Sequence, residues 1–431
     1  MKFSSQIQSS IEILEQIIVR YKTIPMATKE WSADNRFAGS SDRSIIINII
    51  NMAMRRKNSS AYLLNDDSPR SIIIGALFNE LKYDIEIISS IFNNEKYAPS
   101  SLTSDEIKSL NGANQRLIKA EDWIKFDVQE SLLSEYVATF KDDIEDQLLK
   151  LSSMPDLDIR VNTLKTNSEN VSKAISKYNP KPTQYAPYAM RLKSDGILFK
   201  YPNLENTISY NKGHFETQNE GSQISAILSG AIPRMQILDF CAGQGGKSAI
   251  LSAIMENTGQ IYLHDIDESR LKNVPDRMKR LGVKNYQIKM NLEYKKKEEK
   301  LFDIVFVDAP CSGSGTWRRK PDLKWKFNPE KLASNIKDQY EILNNSKTYV
   351  KVGGNLVYVT CSVFDSENDK QIQTFLANSP NFKLIPYQEN WLIKKNPIPK
   401  NSKLHNKETL LLSPMTHNTD GFFVAILKRF E

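Results

Sequence analysis

Residues 237–248 read Ile-Leu-Asp-Phe-Cys-Ala-Gly-Gln-Gly-Gly-Lys-Ser, and this stretch decides the fold class. A short apolar run ends in an acid and is followed at once by a glycine-rich turn. Similar apolar runs end near Leu263, Val307 and Val359, with spans of helical character between them. Short apolar runs separated by helices are typical of buried parallel strands in a doubly wound α/β sheet. We therefore predict a Rossmann-like α/β domain over residues 206–431.

Two segments of different character precede this domain. Ile7, Ile11 and Leu14 recur at helical spacing, and further helical patterns follow without strand-like alternation, which predicts an all-helical domain over residues 1–145. Residues 158–164 then alternate as a strand does and lead into a second helical pattern. Residues 146–205 are therefore predicted to form a small α/β connecting segment.

Composition narrows the class of protein. A length of 431 residues suits two or three domains, and the net charge of +7 permits a polyanionic partner without requiring one. No apolar run approaches the roughly 18 residues that span a bilayer, and no secretory signal is recognisable, so a cytoplasmic protein without a membrane partner is expected. Three cysteines without a CxxC pair, and only four histidines, argue against a disulfide framework and against a bound metal.

The glycine-rich turn admits three kinds of cofactor. A nicotinamide dinucleotide favours GxGxxG, but the sixth place counted from Gly243 is Ser248. A P-loop favours GxxxxGK[ST], but its first glycine position holds Cys241. S-adenosylmethionine requires no pyrophosphate cradle, only a glycine bend and an acid for the ribose. Asp265, at the end of the next strand, is placed to accept both ribose hydroxyls.

S-adenosylmethionine is therefore the predicted cofactor, although a P-loop ATPase stays an alternative. The residues expected to contact it from the turn are Cys241, Ala242, Gly243, Gln244, Gly245, Gly246 and Lys247.

All three cysteines lie at predicted strand ends, on the edge where a ligand binds in such sheets. A lone cysteine is more often a small buried apolar residue than a nucleophile. Three cysteines at one edge and none elsewhere favour a chemical role. Residues 308–315 (Asp-Ala-Pro-Cys-Ser-Gly-Ser-Gly) add an acid, a rigid turn and flexible glycines beside Cys311.

Together these segments resemble the Sun/Nop family of RNA cytosine-5 methyltransferases, closest to its RsmB-like branch, which modifies bacterial small-subunit ribosomal RNA. The motifs that carry the resemblance are Arg160-Val161-Asn162, Gln218 to Gln223, Pro310-Cys311, Thr360-Cys361 and Asp420-Gly421-Phe422-Phe423. The N-terminal helices, with residues 36–43, are similar to the NusB-like RNA-binding domain of that branch. The resemblance covers nearly the whole chain.

The resemblance implies a role for each site residue. Cys361 attacks carbon 6 of a cytosine, which makes carbon 5 nucleophilic enough to take a methyl group. Asp308 holds the exocyclic amine and ring nitrogen of the base and borders the cofactor, and Lys247 supports it electrostatically. Cys311 assists removal of the carbon 5 proton and breakdown of the adduct. Asn291 stands where the family commonly has an acid that contacts the adenine.

Residues 316–326 combine five cations with two tryptophans, a pattern that indicates phosphate contacts and stacking against RNA. We predict RNA contacts, with ribosomal RNA as substrate of a monomeric enzyme. The residues assigned to these contacts are Arg160, Arg318, Arg319, Lys324 and Trp325. A solvated surface loop is the alternative for this stretch. Alternatives for the chain are a transfer RNA methyltransferase, a DNA cytosine-5 methyltransferase that uses only the Pro-Cys thiol, and an inactive RNA-binding scaffold.

Overall fold

The computed structural model describes residues 1–194, 196, 198, 200–290, 302–402 and 407–431. The N-terminal third is helical, as predicted. Ser68 accepts a hydrogen bond from the backbone of Ser71, and Pro69 occupies the first turn, the arrangement that favours a helix start. The helices are α1 (Phe3–Ile18), α2 (Ile24–Asp34), α3 (Ser40–Arg55), α4 (Lys57–Leu64), α5 (Pro69–Asn79), α6 (Ile85–Ile91), α7 (Ser104–Leu110), α8 (Ala113–Ile118), α9 (Asp122–Lys125), α10 (Leu133–Phe140) and α11 (Ile144–Leu151).

A small antiparallel sheet follows, with strand order β2-β3-β1-β4 among the described residues. Its elements are β1 (Leu157–Val161), α12 (Ser168–Ala174), β2 (Lys181–Pro182), β3 (Ala189–Leu192), α13 (Ile208–Asn211) and β4 (Phe215–Thr217). Helix α11 crosses the predicted boundary at residue 145, and β4 lies beyond the predicted boundary at residue 205. The small sheet therefore takes its last strand from residues beyond the predicted boundary.

The rest of the chain forms the predicted Rossmann-like sheet. Its elements are α14 (Glu220–Ile227), β5 (Gln236–Asp239), α15 (Gly246–Ile254), β6 (Gln260–Leu263), α16 (Glu268–Leu271), α17 (Val274–Leu281), β7 (Tyr286–Ile288), β8 (Phe302–Asp308), α18 (Pro321–Lys326), α19 (Pro329–Ser346), β9 (Val350–Thr360), α20 (Asp369–Ala377), β10 (Phe382–Ile385), β11 (Leu410–Leu412), α21 (Pro414–His417) and β12 (Phe422–Arg429). The strand order is β10-β12-β9-β8-β5-β6-β7, and β11 pairs with β12.

Strand order fixes where a ligand can bind. Strands β9, β8, β5, β6 and β7 run parallel, while β12 lies antiparallel to β9. The chain leaves β5 toward β6 on one side and later returns to β8 on the other, so the order reverses between β5 and β8. Ligands bind outside the carboxyl ends of the strands at such a reversal. Asp239 ends β5, Asp308 ends β8 and Thr360 ends β9, so all three lie on this edge.

The helical region packs in two parts. Helices α1–α8 share a core of their own, built largely from isoleucine and leucine side chains. Residues 126–151 instead contribute buried side chains to the core beneath the Rossmann-like sheet, and Tyr136 packs edge-on against Phe364 with ring centroids 5.0 Å apart. Helices α10 and α11, with residues 126–132 before them, therefore belong by packing to the sheet domain. No helix in the described part of the chain is long and apolar enough to cross a membrane.

Candidate active site

The glycine-rich turn between β5 and α15 adopts a backbone conformation that favours glycine. Gly243 and Gly245 adopt φ values of +53° and +75°, a region that favours glycine. A side chain at Gly245 would also place its Cβ 2.7 Å from the Met278 Cε atom. The turn therefore brings bare backbone to the carboxyl end of β5, where α15 begins.

Asp265 fixes this turn to the end of β6. Its Oδ2 accepts a hydrogen bond from the Gly243 N–H at 2.8 Å, and its Oδ1 accepts one from the Asp267 N–H at 3.0 Å. Arg270 Nη1 lies 3.5 Å from the same carboxylate. Because a carboxylate has about four acceptor positions, these bonds leave room for hydroxyl donors from a ligand.

A cavity of about 180 Å³ opens beside the turn, and Asp239 and Lys247 are among the residues that line it. Burial raises the pKa of Asp239 to about 7. Its Oδ2 accepts a hydrogen bond from Ser248 Oγ at 2.5 Å, whereas its buried Oδ1 has no partner among the described residues. Gln218, Ser222 and Arg270 complete the lining, and the sequence did not mark them as cofactor contacts. An unpartnered buried carboxylate oxygen beside a bare glycine turn fits a nucleoside cofactor that carries an ammonium group.

Lys247 and Asp308 form an ion pair between the cofactor turn and the end of β8. Lys247 Nζ donates to Asp308 Oδ2 at 2.6 Å. Burial acts to lower the pKa of Lys247, but the charge and hydrogen bond of Asp308 outweigh it and raise this pKa overall. The lysine therefore stays protonated and presents a fixed positive charge to the thiol of Cys361, which is among the groups that influence its pKa.

Cys311 and Cys361 face each other across the ends of β8 and β9, with their Sγ atoms 3.4 Å apart and both thiols free. The hydrogen bond between them, and next burial, raise the pKa of Cys311 well above its usual value. The same hydrogen bond lowers the pKa of Cys361, aided by the charge of Lys247 and opposed by burial and Asp308. The pair therefore divides into a thiolate-prone Cys361 and a protonated Cys311. Burial likewise raises the pKa of the third thiol, Cys241, which lies in the glycine-rich turn.

Backbone contacts hold the loop that carries Cys311. The Gly315 N–H donates to the Cys361 carbonyl at 3.0 Å, and the Gly421 N–H donates to the Gly315 carbonyl at 2.9 Å. A Cβ on Gly315 would lie 2.3 Å from the Gly421 carbonyl oxygen, so only glycine permits this approach. The motif at residues 420–423 is thus part of the wall around the thiols.

The structure contradicts the predicted exposure of the cationic stretch, residues 318–326, which we term the docking segment. Arg318 is buried and donates to Asp420 Oδ1 at 2.6 Å, and Arg319 pairs with the other oxygen of the same carboxylate. Lys324 is buried and donates to the carbonyl oxygens of Arg55 and Asp127, at 3.3 and 2.5 Å.

Trp325, half-buried, donates from its indole to the Met54 carbonyl at 2.6 Å. The docking segment therefore meets helix α3 and the α9 region rather than open solvent. Cations interleaved with tryptophan occur both at nucleic-acid surfaces and at polar contacts between domains. The local sequence pattern does not show that Lys324 and Trp325 bind residues far away in the chain.

Arg160 is likewise buried rather than exposed to RNA. Its Nε donates to Gln218 Oε1 at 2.9 Å, and burial lowers its pKa to about 10. Since Gln218 lines the cavity, Arg160 supports the site through its hydrogen bond to Gln218. Asn291, the predicted adenine contact, lies outside the described residues. Within the described part of the chain, no three His, Cys, Asp or Glu side chains cluster as a metal site would require.

This site lies in a part of the chain that is similar to known proteins. Residues 231–428 match the family model described as 16S rRNA methyltransferase RsmB/F. These residues, a little under half of the chain, are similar to the RsmB/F methyltransferases. The match spans β5 through nearly all of β12, so it includes the glycine-rich turn and both facing thiols. S-adenosylmethionine is the cofactor of this class, as the turn predicted, and the P-loop alternative is set aside.

The chain is also similar to individual proteins, and it spans less than two thirds of the length of the curated relative described next. The "Probable ribosomal RNA small subunit methyltransferase B" of Synechocystis is 32% identical over 281 residues, which cover 64% of this chain and 60% of the relative. The crystal structure of PH0851 superposes over 99% of both chains with a TM-score of 0.72 at 24% identity. The crystal structure of NSun6 from Pyrococcus horikoshii with SFG covers 70% of this chain and 99% of that one, with a TM-score of 0.60 at 20% identity. These two structures share the fold.

Proposed function

We propose that this chain is an RNA cytosine-5 methyltransferase acting on small-subunit ribosomal RNA through a covalent bond between Cys361 and cytosine carbon 6. The observation that carries the proposal is the thiol pair, 3.4 Å apart at the ends of β8 and β9, beside the Lys247–Asp308 ion pair. The assignment to ribosomal RNA draws on the similarity to the 16S rRNA methyltransferases RsmB/F and to the Synechocystis relative.

The chemistry explains why a nucleophilic thiol is needed. Carbon 5 of cytosine is a poor nucleophile until a bond to carbon 6 breaks the ring conjugation. The Cys361 thiolate adds to carbon 6, and carbon 5 becomes able to accept the methyl group that S-adenosylmethionine supplies when bound. A base then takes the carbon 5 proton, and the electron pair left on carbon 5 restores the ring double bond as the carbon–sulfur bond breaks and releases the Cys361 thiolate.

The neighbouring groups divide the remaining tasks. Asp308, fixed by Lys247, accepts from the exocyclic amine of the base and holds the ring over Cys361. Cys311 lies close enough to Cys361 to serve the release stage, in which the carbon 5 proton leaves and the adduct collapses. The target base must leave its stack to reach this depth, which favours a loop or partly unfolded RNA.

Bisulfite sequencing of total RNA from cells with and without this gene tests the function directly. We expect one cytosine of the small-subunit RNA to lose its resistance to conversion when the gene is deleted, and to regain it on complementation. Loss of resistance in a transfer RNA would move the substrate to that class. An unchanged pattern in all RNA would contradict the proposed function.

Asp265→Ala should weaken S-adenosylmethionine binding by about 2 kcal/mol, the scale of losing hydrogen bonds to a charged group. The buried carboxylate both anchors the Gly243 N–H and is placed for the ribose hydroxyls. Isothermal calorimetry on the full chain measures the effect. Asp267→Ala is the matched control, because Asp267 is an exposed acid two residues away and caps α16 instead. Equal affinity of the Asp265 variant and wild type would remove Asp265 from the cofactor site.

A further inference from the structure

Two adjacent residues, Glu367 and Asn368, contact the chain on either side of both thiols. They lie where a short 3-10 turn, Asp365–Glu367, ends and helix α20 begins, and both side chains are completely buried. Neither residue was marked by the sequence analysis. Buried polar side chains of this kind stabilise a unique arrangement only when their hydrogen bonds are satisfied.

Glu367 holds the chain around Cys311. Its Oε1 accepts from the Ser312 N–H at 2.8 Å, and its Oε2 accepts from the Ser312 hydroxyl. Gln339, buried on α19, donates from one amide nitrogen both to Glu367 Oε1 at 3.0 Å and to the Pro310 carbonyl at 2.9 Å. The residues before and after Cys311 are therefore tied to the same carboxylate, one directly and one through Gln339.

Asn368 does the same for Cys361. Its Oδ1 accepts from the Thr360 hydroxyl at 2.6 Å, and its Nδ2 donates to the Ser362 carbonyl at 3.0 Å. The residues before and after Cys361 are thus bound by a single amide. Because Glu367 and Asn368 are adjacent in the chain, hydrogen bonds from one short piece of backbone hold both cysteine segments.

We propose that Glu367 and Asn368 form a thiol clamp that sets the separation and mutual orientation of Cys311 and Cys361. They act as positioning residues, since they reach the thiols only through neighbouring backbone and hydroxyl groups. The catalytic consequence rests on the proposed function, in which one thiol attacks and the other serves release. A misplacement of about 1 Å in such a pair is enough to cost roughly a hundredfold in rate.

A trivalent arsenical tests the clamp without RNA or cofactor. Phenylarsine oxide condenses with two thiols to give two As–S bonds and one water, so it binds tightly only where two thiols are held close. We expect wild type to bind it through both cysteines and Cys361→Ala to lose this binding. Glu367→Ala and Asn368→Ala should each weaken binding at least about tenfold, which corresponds to roughly 1.4 kcal/mol. Glu367→Gln should restore most of it, because glutamine keeps the oxygen that accepts from the Ser312 N–H.

Controls separate positioning from general destabilisation. Gln371→Ala is the matched variant, since Gln371 is buried on α20 and donates to the Ile336 carbonyl of α19, away from the thiols. It should lower the melting temperature but leave arsenical affinity unchanged. If Glu367→Ala fails to fold, Gln339→Ala removes only the link to Pro310 and one bond to Glu367, and should give a smaller loss of arsenical affinity.

Steady-state methylation gives the second readout. The clamp variants should lower kcat and leave the KM for RNA unchanged. Unchanged arsenical affinity in the folded Glu367 and Asn368 variants would overturn the clamp, as would unchanged kcat beside a working wild type. Weakened arsenical binding together with a wild type that methylates no RNA would uphold the clamp and reject the proposed function.

Discussion

Replacing Cys361 with alanine should abolish methyl transfer, with a loss of at least about 10⁴-fold, the scale seen when a covalent nucleophile is removed. The variant should also leave no protein–RNA species on a denaturing gel, because no other described thiol combines a lowered pKa with this position. Cys311→Ala should behave in the opposite way. It retains the attacking thiol but lacks the release partner, so a covalent RNA complex should accumulate and turnover should stall after about one event per enzyme.

The thiol pair adds a pH signature to this experiment. Removing Cys311 removes the hydrogen bond that lowers the pKa of Cys361. The thiolate fraction at a given pH then falls, so adduct formation by Cys311→Ala should move to higher pH than in wild type. Adduct trapped by Cys361→Ala and lost in Cys311→Ala would reverse the roles. That result would place the nucleophile on the Pro-Cys loop, as in the DNA cytosine-5 alternative.

A fragment of residues 152–431 should fail to fold, although it contains every chemical motif. It lacks buried side chains that complete the core beneath the Rossmann-like sheet, namely Phe126, Val128, Leu132, Phe140, Leu148 and Leu151. At about 1.5–3 kcal/mol for each fully buried apolar side chain, the six contribute roughly 9–18 kcal/mol. Whole domains are stable by only about 5–15 kcal/mol. Circular dichroism and thermal melting of the purified fragment measure the loss.

The matched fragment, residues 119–431, keeps these side chains and removes only the separate core of α1–α8. It should fold and bind S-adenosylmethionine, with a lower melting temperature because Trp325 loses its contact with Met54. It should also methylate RNA poorly if the helices bind substrate. A cooperative melt for the shorter fragment, at the same temperature as for the longer one, would show that residues 126–151 do not support the sheet.

The sheet and the edge that carries the site were predictable from local patterns. Apolar runs ending in Asp239, Asp308 and Thr360-Cys361 predicted parallel strands, and the carboxyl ends of such strands meet at one edge. The structure confirms the fold and places Lys247 against Asp308 and Cys311 against Cys361. These contacts follow from the order of the parallel strands, and the spacing of the apolar runs along the sequence predicts those strands.

The sequence did not predict contacts between elements that are far apart in the chain. The docking segment resembled an RNA-binding surface because its partners Arg55 and Asp127 lie about two hundred residues or more away. Arg270 and Glu367 likewise look like ordinary charged residues of a helix start, and only the fold brings them to the site. The predicted boundary at residue 145 falls inside α11, and the amphipathic pattern of α10 and α11 does not say which core these helices join.

The position of Asp420 and β12 sets an order of events during translation. Strand β12 inserts between β9 and β10, and Asp420 is the carboxylate that neutralises both Arg318 and Arg319. Until the ribosome has made residues 420–429, the strand bearing Cys361 lacks its antiparallel neighbour, and two arginines behind the Pro-Cys loop lack their counter-charge. A nascent chain therefore carries both thiols before β9 is paired on both sides and before Arg318 and Arg319 have their common carboxylate.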